Sequence, residues 1–417
     1  MGKLARGVAL IGAGMSKFGA FPDKTSRELF VEAFIDARNS VDNGIDNKDI
    51  EAMFLGNFSS DLFEGQVHTG PIMADWVGLV PKPVTRTEGA CASSGIAIRC
   101  GVMAIASGLH DVVCVAGVEK MTNLPTSRVT DTLGAASDVE YEFPVGATFP
   151  GLYATIATAH MKKYGTTIRQ LRTIGIKNHD NGKLNPKAQF PLSIRDLMEK
   201  RIKKLKEKGE EAPSWRDEFD FLEDPRANPV VAWPLRLYDC SPITDGAAVL
   251  FLAAEEVARK YTDTPIHIIG SGQGSVQLAL HDRADITTIL AAREAAKMAY
   301  RMAGVGPEDI QVAEVHDCFT IAEIVATEDL GFFKPGEGGK AAEEGVTARD
   351  GEKPINTSGG LKSKGHPVGA SGAGQAVEIW KQLRGEAGKR QVPDVEIGLT
   401  HNVGGTGGTC AVHIYRR

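Results

Sequence analysis

The chain lacks long hydrophobic runs, an excess of basic residues and closely paired cysteines. No stretch of its 417 residues approaches the roughly 18 consecutive apolar residues of a membrane-spanning helix. A formal net charge of −6 gives no sign of the basic surface typical of nucleic-acid-binding proteins. The opening MGKLARGVALIGAGMSKFG has an apolar run too short and too glycine-broken for a secretory signal. These absences predict a cytoplasmic globular protein without nucleic-acid or membrane partners.

The six cysteines are scattered, with no Cys-x-x-Cys pair and no cysteine–histidine cluster at zinc spacing. We therefore expect free thiols and no metal site. One of them, Cys91, lies among small residues in RTEGACASSGIAI, where a helix is predicted to begin. Small neighbours either let elements pack around an inert thiol or clear space for a ligand beside a reactive one. At this point both readings remain open.

The chain contains an internal repeat. VALIGAG at residues 8–14 returns as IHIIGSG at 266–272, and GIDNKDIEAMFLG at 44–56 resembles GVGPEDIQVAEVH at 304–316. Each copy runs from a strand and glycine turn through a stretch of helical spacing to an acidic turn and another strand. This alternation predicts an α/β fold with parallel or mixed sheets covered by helices.

The two halves differ in length. Their offset is 258 residues at the start but only 161 at the final strands, so the first half holds roughly 100 residues that the second lacks. Part of this surplus is charged and bounded by prolines, which is typical of a segment outside the core. We predict three parts: a first half of residues 1–120 with 241–262, an inserted loop domain of 121–240, and a second half of 263–417.

The first glycine turn matches a dinucleotide-binding loop only in part. Gly12 and Gly14 fit the first two glycines of that motif, but the third position is Lys17. The repeat copy lacks the full pattern as well. The sequence therefore favours a structural strand and turn over a cofactor site.

Three other segments carry candidate chemical residues. In INTSGGLKSKGHPVGASGAG, His366 lies in a loop whose glycines permit close backbone approach to a ligand. In VAEVHDCFT, strand alternation places His316 and Cys318 on the same side, where both can face one cavity. In THNVGGTGG at 400–408, consecutive backbone N–H groups form a typical anion-binding turn.

Taken together, Cys91, His316, Cys318, His366 and the 404–408 turn resemble the thiolase superfamily in their order and spacing. The HPVGASG block is the most specific part of this resemblance, which covers essentially the whole chain. The resemblance implies duplicated α/β halves that form a five-layered α-β-α-β-α core with an inserted loop domain.

Two departures from the usual thiolase motifs indicate which branch of the superfamily the chain resembles. Most thiolases carry Asn-Glu-Ala-Phe where this chain has HDCF at 316–319, and a second catalytic cysteine in a Cys-x-Gly turn that here reads Asn402-Val403-Gly404. The chain is similar in this to the thiolase part of sterol-carrier-protein thiolases. In that branch the HDCF cysteine, here Cys318, takes over from the missing one.

The resemblance implies CoA-dependent thiolytic cleavage of a 3-oxoacyl-CoA, or the reverse Claisen condensation, through a cysteine acyl-enzyme. Cys91 would be the nucleophile and His366 its base. His316 and His366 would donate to the enolate oxygen, and Cys318 would protonate the enolate carbon. The backbone N–H groups of Cys91 and Gly404 would bind the oxyanion.

CoA would be a substrate, with no cofactor, and its pantetheine would contact Ser358 and Gly359. The basic run at 200–206 could meet the CoA phosphates, but a solvated helix face is favoured. The acyl pocket would come from the loop domain, where residues 142–157, Phe190 and Trp233 are equally plausible as pocket walls or as core. The family also suggests a homodimer or tetramer.

Two alternatives stay open. The first is a condensing enzyme of the ketoacyl-synthase kind, which shares the fold but would not need the thiol of Cys318. The second is a subunit that is active only with a small zinc-ribbon/OB-fold partner, as some relatives with an HDCF site are. The sequence itself shows no such interface.

Overall fold

The computed structural model describes residues 4–211 and 213–417. The strands are β1 Val8–Met15, β2 Ala52–Gly56, β3 Val84–Thr87, β4 Val112–Glu119, β5 Val230–Ala232, β6 Leu235–Arg236, β7 Gly246–Ala254, β8 Ile266–Ser275, β9 Val312–Glu314, β10 Ile397–Gly404 and β11 Thr409–Arg416.

The helices of the first half and of the segment that follows it are α1 Ser26–Asn39, α2 Ser60–Glu64, α3 Thr69–Trp76, α4 Ser93–Ala106, α5 Thr126–Gly134, α6 Phe149–Tyr164, α7 Ile168–Lys183, α8 Ile194–Glu207, α9 Glu218–Glu223 and α10 Glu255–Ala258. Those of the second half are α11 Leu290–Ala303, α12 Thr320–Asp329, α13 Gly338–Glu343, α14 Gly360–Ser363 and α15 Ser371–Arg384. None of these helices, within the residues described, is long and apolar enough to cross a membrane.

Within the described residues, nine strands form one sheet in the order β3-β2-β4-β7-β1-β8-β11-β10-β9. The two halves meet where β1 pairs with β8, at Ala9 opposite His267 and Leu10 opposite Ile266. From this junction outward the halves match: β1-β7-β4-β2 has the same antiparallel, antiparallel and parallel pairings as β8-β11-β10-β9. The internal repeat in the sequence therefore corresponds to two halves with the same strand order and the same strand directions.

Helices cover both faces of each half and give five layers. α4 packs on β2 and β4 and also contacts β8 and β11, whereas α15 packs on β10 and β7 and also contacts β1 and β9. These two helices form the middle layer, inside a core that includes Ile98, Leu250 and the fully buried Trp380. α1 and α3 cover the outer face of the first half, and α11 covers that of the second. The expected α-β-α-β-α core is confirmed.

Every second residue at the end of β8 is glycine because α11 packs directly on the strand backbone. A Cβ at Gly272 would lie 1.9 Å from the carbonyl oxygen of Ala295. Neighbouring glycines meet the next helical turns in the same way, Gly270 facing Ala299 and Gly274 facing Ala291. In β1, Gly14 allows the same approach to Ala37 of α1. The glycines that partly resemble a dinucleotide motif thus serve strand–helix packing.

The segment between β4 and β7 contains α5 to α9 and the hairpin β5–β6. Its longest helices pack on the second half, α6 on α12 and α7 on α12, α13 and α14. The basic residues of the 200–206 run are exposed on α8, as expected for a solvated face. We retain residues 121–240 as the proposed bounds of a loop domain, since β4 ends at Glu119 and β7 begins at Gly246.

We predict that Gly272→Ala lowers the free energy of unfolding by about 1–3 kcal/mol, because the added methyl overlaps the backbone of α11 and the helix must move. Denaturant unfolding followed by circular dichroism measures the change. Gly151→Ala in α6 is the control, since its Cβ would meet only Thr148 Oγ1, at 3.9 Å. Wild-type stability of the Gly272 variant would contradict the packing role.

Candidate active site

The repeat brings the ends of two equivalent helices together at the centre of the molecule. α4 precedes β4 and α15 precedes β10, and these strands occupy equivalent places in the two halves. A short turn at Ala90–Ala92 opens α4, a similar turn at Val368–Ala370 opens α15, and the two turns are in contact. Cys91 lies in the first turn, and His366 lies just before the second.

Three of the predicted catalytic residues converge at this point. The sulfur of Cys91 and one ring nitrogen each from His316 and His366 lie within 4.8 Å of one another. The two imidazole rings are 5.1 Å apart and nearly perpendicular, at 81°. His316 reaches the site from the loop that follows β9, so the second half supplies both histidines and the first supplies the thiol.

The backbone before the thiol is held in an uncommon conformation. Ala90 has a φ of 51°, in the left-handed region that residues with a Cβ seldom adopt. Hydrogen bonds fix it there: the Ala90 N–H donates to Glu88 Oε1 at 2.6 Å, and the Ser93 hydroxyl donates to the Ala90 carbonyl at 2.6 Å. This conformation holds Cys91 half-buried at the wall of a cavity.

The thiol is protonated at rest. Burial raises the pKa of Cys91 to about 12, a rise that a hydrogen bond from the backbone N–H of Gly405 partly offsets. Burial also lowers the pKa of His366 to about 3 and that of His316 well below its ordinary value. The resting site is therefore a thiol beside two neutral imidazoles, which suits a thiol that loses its proton only as it attacks.

His366 is oriented by its neighbours. Its Nδ1 lies 2.7 Å from Ser371 Oγ, and that hydroxyl donates its own proton to the carbonyl of Pro367 at 3.0 Å. Ser371 must then accept from Nδ1–H, which leaves Nε2 with a lone pair. The backbone N–H of His366 donates to Thr244 Oγ1 at 2.9 Å. His366 thus offers an acceptor on the ring atom that can take the proton of Cys91.

Cys318 faces the same cavity as Cys91. Tyr153 lines the cavity with it, and the Tyr153 hydroxyl donates its proton to the carbonyl of Gly405 at 2.9 Å. Burial raises the pKa of Cys318 well above its ordinary value. A thiol that stays protonated beside the nucleophile can deliver a proton to a carbanion formed there.

The cavity has a volume of about 250 Å³ and is lined mainly by apolar side chains. Within the 142–157 stretch, three of the residues proposed as pocket walls do line it: Phe149, Pro150 and Tyr153. Phe190 and Trp233 are not among the lining residues, and Trp233 is exposed to 62%. Val129 and Leu133 of α5 form a further wall, and residues 240–243 form another.

The structure places Gly404 against the turn that carries Cys91. Gly404 ends β10 so close to Gly89 that a Cβ would lie 2.2 Å from its carbonyl oxygen, and the next residue, Gly405, lines the cavity. The oxyanion role of the Gly404 N–H stays a prediction.

The proposed pantetheine contacts of Ser358 and Gly359 stay a prediction, and the structure places both residues away from the cavity. Ser358 is fully buried, with its hydroxyl donating to Glu314 Oε2 at 2.5 Å and its N–H to Oε1 at 3.0 Å. Gly359, with a φ of 101°, packs against Gly182. Neither residue lines the cavity, because both belong to the buried support beneath the His366 loop. Their places indicate a structural role.

Three residues around the site were left without a role of their own by the sequence reasoning: Ser371, Asn402 and Gly405. Ser371 and Asn402 carried a signal, since both are polar residues inside the recognised glycine-rich segments. Tyr153 was proposed only as a possible pocket wall, and nothing in the sequence indicated that its hydroxyl donates to the carbonyl of Gly405.

Cys91, His316 and His366 also offer the sulfur and nitrogen atoms that zinc binds. The same three atoms are those that proton transfer to and from a substrate would use, so a bound metal would compete with that chemistry. The absence of a metal cofactor stays a prediction from the sequence.

Two protein-family models together match most of the chain. The family model described as "Thiolase, N-terminal domain" matches residues 8–256, and "Thiolase C-terminal domain-like" matches residues 272–417. The chain is 49% identical to a protein named acetyl-CoA acetyltransferase of Methanothermobacter thermautotrophicus, over 99% of this chain and all of that protein. It is 31% identical to sterol carrier protein 2 of Bos taurus, over 98% of this chain and 72% of that protein.

Among solved structures, one titled "Ltp2-ChsH2(DUF35) aldolase" resembles the chain with a TM-score of 0.78 and 23% sequence identity. The match covers 98% of this chain and 97% of that one. At this level of identity the likeness shows the fold alone.

We predict that the rate of alkylation of Cys91 by iodoacetamide keeps rising about tenfold per pH unit from about pH 7 to about pH 10. Because the pKa of the thiol is raised to about 12, the thiolate fraction grows throughout this range. Mass spectrometry of Cys91 measures the rate, with Cys91→Ser as the background. A rate that levels off near neutral pH would reveal a resting thiolate–imidazolium pair and contradict the neutral site.

Proposed function

The chain belongs to the thiolase family, and from that premise we propose that it transfers acyl groups between Cys91 and CoA in the cleavage or formation of a 3-oxoacyl-CoA. The observation that carries this proposal is the meeting of the Cys91 sulfur with His316 and His366 within 4.8 Å, beside an apolar cavity that also holds Cys318. Acyl-CoA and CoA are its substrates.

In the cleaving direction, the Cys91 proton passes to Nε2 of His366 as the sulfur attacks the keto carbon of the substrate. The bond between the keto carbon and the adjacent α-carbon then breaks. It leaves an acyl thioester on Cys91 and the enolate of a shorter acyl-CoA. Cys318 gives its proton to the α-carbon of this enolate, and the first product leaves.

The second half of the reaction restores the enzyme. A fresh CoA thiol gives its proton to the thiolate of Cys318 and attacks the acyl thioester. The sulfur of Cys91 departs as a thiolate and recovers its proton from His366. Oxyanions formed at the acyl carbon would be held by backbone N–H groups at the helix start, and one such donor typically contributes about 3–4 kcal/mol.

The cavity supports a compact, apolar acyl group. Its volume of about 250 Å³ has to accommodate the acyl chain and the reactive end of CoA, and its walls include Val129, Leu133 and Phe149. The name acetyl-CoA acetyltransferase of the relative at 49% identity agrees with a short acyl group. We propose an acetyl or similarly short acyl group as the one that Cys91 carries.

The ketoacyl-synthase alternative is less well supported. A decarboxylating synthase generates its carbanion without a second thiol, whereas Cys318 lies in the same cavity as Cys91 and is kept protonated by burial. Proton transfer at carbon gives this thiol a function that decarboxylation does not.

The assembly and location remain proposals as well. We propose a cytoplasmic homodimer or tetramer, which a small zinc-ribbon/OB-fold protein could join. The neighbour titled "Ltp2-ChsH2(DUF35) aldolase" is named as two components, which is consistent with a second subunit on this fold. Full activity of the purified chain in the assays below would remove the need for a partner.

We predict that the protein gains the mass of an acyl group on Cys91 when it is mixed with acetyl-CoA or acetoacetyl-CoA. Cys91→Ala should lose this adduct and lower thiolysis on the order of 10⁴-fold or more, because the covalent intermediate cannot form. Peptide mass spectrometry and loss of the 3-oxoacyl-CoA absorbance measure the two effects. Cys100→Ala, at a half-buried thiol outside the cavity, is the control. An adduct on another residue would contradict the proposal.

We predict that Cys318→Ala still forms the Cys91 adduct but lowers cleavage and condensation by about 10²–10⁴-fold, because the enolate carbon loses its proton donor. Comparing adduct formation with steady-state turnover separates the two steps. Cys100→Ala should change neither. Full condensing activity of the Cys318 variant would instead favour the ketoacyl-synthase alternative.

A further inference from the structure

We propose that Asn402 is a positioning residue that fixes the tautomer of His316, so that this ring presents an N–H, and not a lone pair, to the oxygen of the enolate. This inference rests on the proposed function and deepens it, since it assigns a role to a residue at the place where most thiolases carry their second catalytic cysteine.

Two backbone groups set the orientation of the Asn402 amide, because a backbone N–H can only donate a hydrogen bond and a backbone carbonyl can only accept one. Its Oδ1 accepts from the N–H of Gly95 at 3.2 Å, and its Nδ2 donates to the carbonyl of Cys91 at 2.9 Å. An amide turned the other way would place oxygen against oxygen and N–H against N–H. Asn402 therefore points its nitrogen toward the active site.

That nitrogen decides where His316 carries its proton. Asn402 Nδ2 lies 3.3 Å from His316 Nδ1, and an amide nitrogen can only donate. Nδ1 of His316 must then accept, which places the proton of the neutral ring on Nε2. Burial keeps the ring neutral, so one tautomer is selected.

The Nε2–H so defined has no hydrogen-bond partner among the described residues, although it is buried. A buried donor without a partner is uncommon, and at an active site it indicates a place that a ligand atom fills. The ring lies edge-to-face against His366 and beside the Cys91 sulfur. An oxygen of the substrate bound at this sulfur would satisfy the donor.

The two histidines are thus held in opposite states by different partners. Ser371 leaves His366 with a free lone pair, whereas Asn402 leaves His316 with a free N–H. The first state suits removal of a proton from Cys91, and the second suits stabilisation of a negative oxygen. If His316 had the other tautomer, its lone pair would repel that oxygen.

Glycines make room for the amide at the crowded meeting point of the two central helices. A Cβ at Gly95 of α4 would lie 2.8 Å from Asn402 Oδ1, and one at Gly372 of α15 would lie 2.3 Å from the same atom. The amide therefore fills a space bounded by both halves, where it bonds to the first half through Gly95 and Cys91 and to the second through His316.

The test uses Asn402→Asp in the full chain. The carboxylate can still accept from Gly95, but it accepts from His316 as well, so the proton should move to Nδ1 and expose a lone pair at Nε2. Asn402→Ala removes the donor without adding charge. Asn228→Asp is the matched control, because buried Asn228 likewise accepts from a backbone N–H and donates to a carbonyl, at 2.9 and 2.8 Å.

Two reactions and one spectrum are compared. Exchange of the α-protons of acetyl-CoA with deuterium from the solvent requires the enolate. Exchange of acetyl groups between acetyl-CoA and labelled CoA requires only Cys91 and its base. NMR of ¹⁵N-histidine protein reports the tautomer, with the His316 signal identified by its loss in His316→Gln.

We expect both Asn402 variants to lower enolate exchange by roughly 10²–10³-fold, the typical effect of one oxyanion donor, and acetyl exchange by less than about tenfold. In the Asp variant, Nε2 of His316 should change from a protonated to an unprotonated nitrogen. Asn228→Asp should leave both reactions and the spectrum as in the wild type.

Equal losses in both reactions, or no loss in either, would overturn the inference, as would a wild-type His316 protonated on Nδ1. If the wild-type protein itself exchanges no acetyl groups, the proposed function fails. The spectrum still decides the role of Asn402 in that event, because the tautomer does not depend on turnover.

Discussion

The site depends on the exclusion of charge from one small space. A thiol and two imidazoles lie within 4.8 Å of one another, and burial drives each toward its neutral form, with the pKa of Cys91 near 12 and that of His366 near 3. Charge that forms there during a reaction has little water to stabilise it. It must be met by groups already in place, and that requirement explains why Ser371 and Asn402 orient the two rings.

Duplication of the α/β unit supplies the geometry that this constraint requires. Equivalent strands of the two halves are preceded by equivalent helices, and the turns that open α4 and α15 touch at the centre of the molecule. The nucleophile therefore comes from one half and its base from the other. The acyl cavity is closed by a third part, the segment between β4 and β7, which contributes α5 and α6. The halves hold the chemistry, and the inserted segment shapes the space for the substrate.

Much of the fold and several of the candidate site residues could be predicted from short sequence motifs. The repeat of strand, helix and glycine turn predicted two copies of an α/β unit with parallel or mixed sheets, because periodicity and turn residues act locally. The resemblance to thiolases identified Cys91, His316, Cys318 and His366, and the structure gathers the thiols and His366 around one cavity and His316 beside them. The pantetheine contacts assigned to 358–359 stay a prediction, because a glycine-rich turn is equally able to approach a ligand and to pack against another backbone, as it does here at Gly182.

The sequence by itself determined which residue types are present for the chemistry and the order of the elements that carry them, since both are written in contiguous segments. Only the tertiary structure decided which ring nitrogen faces the substrate. The bonds that fix the Asn402 amide join residues 307 and 311 positions apart, and the one to His316 spans 86 positions. No local pattern encodes such contacts, because a proton's place on a neutral imidazole is set by the partners that folding brings to its other nitrogen.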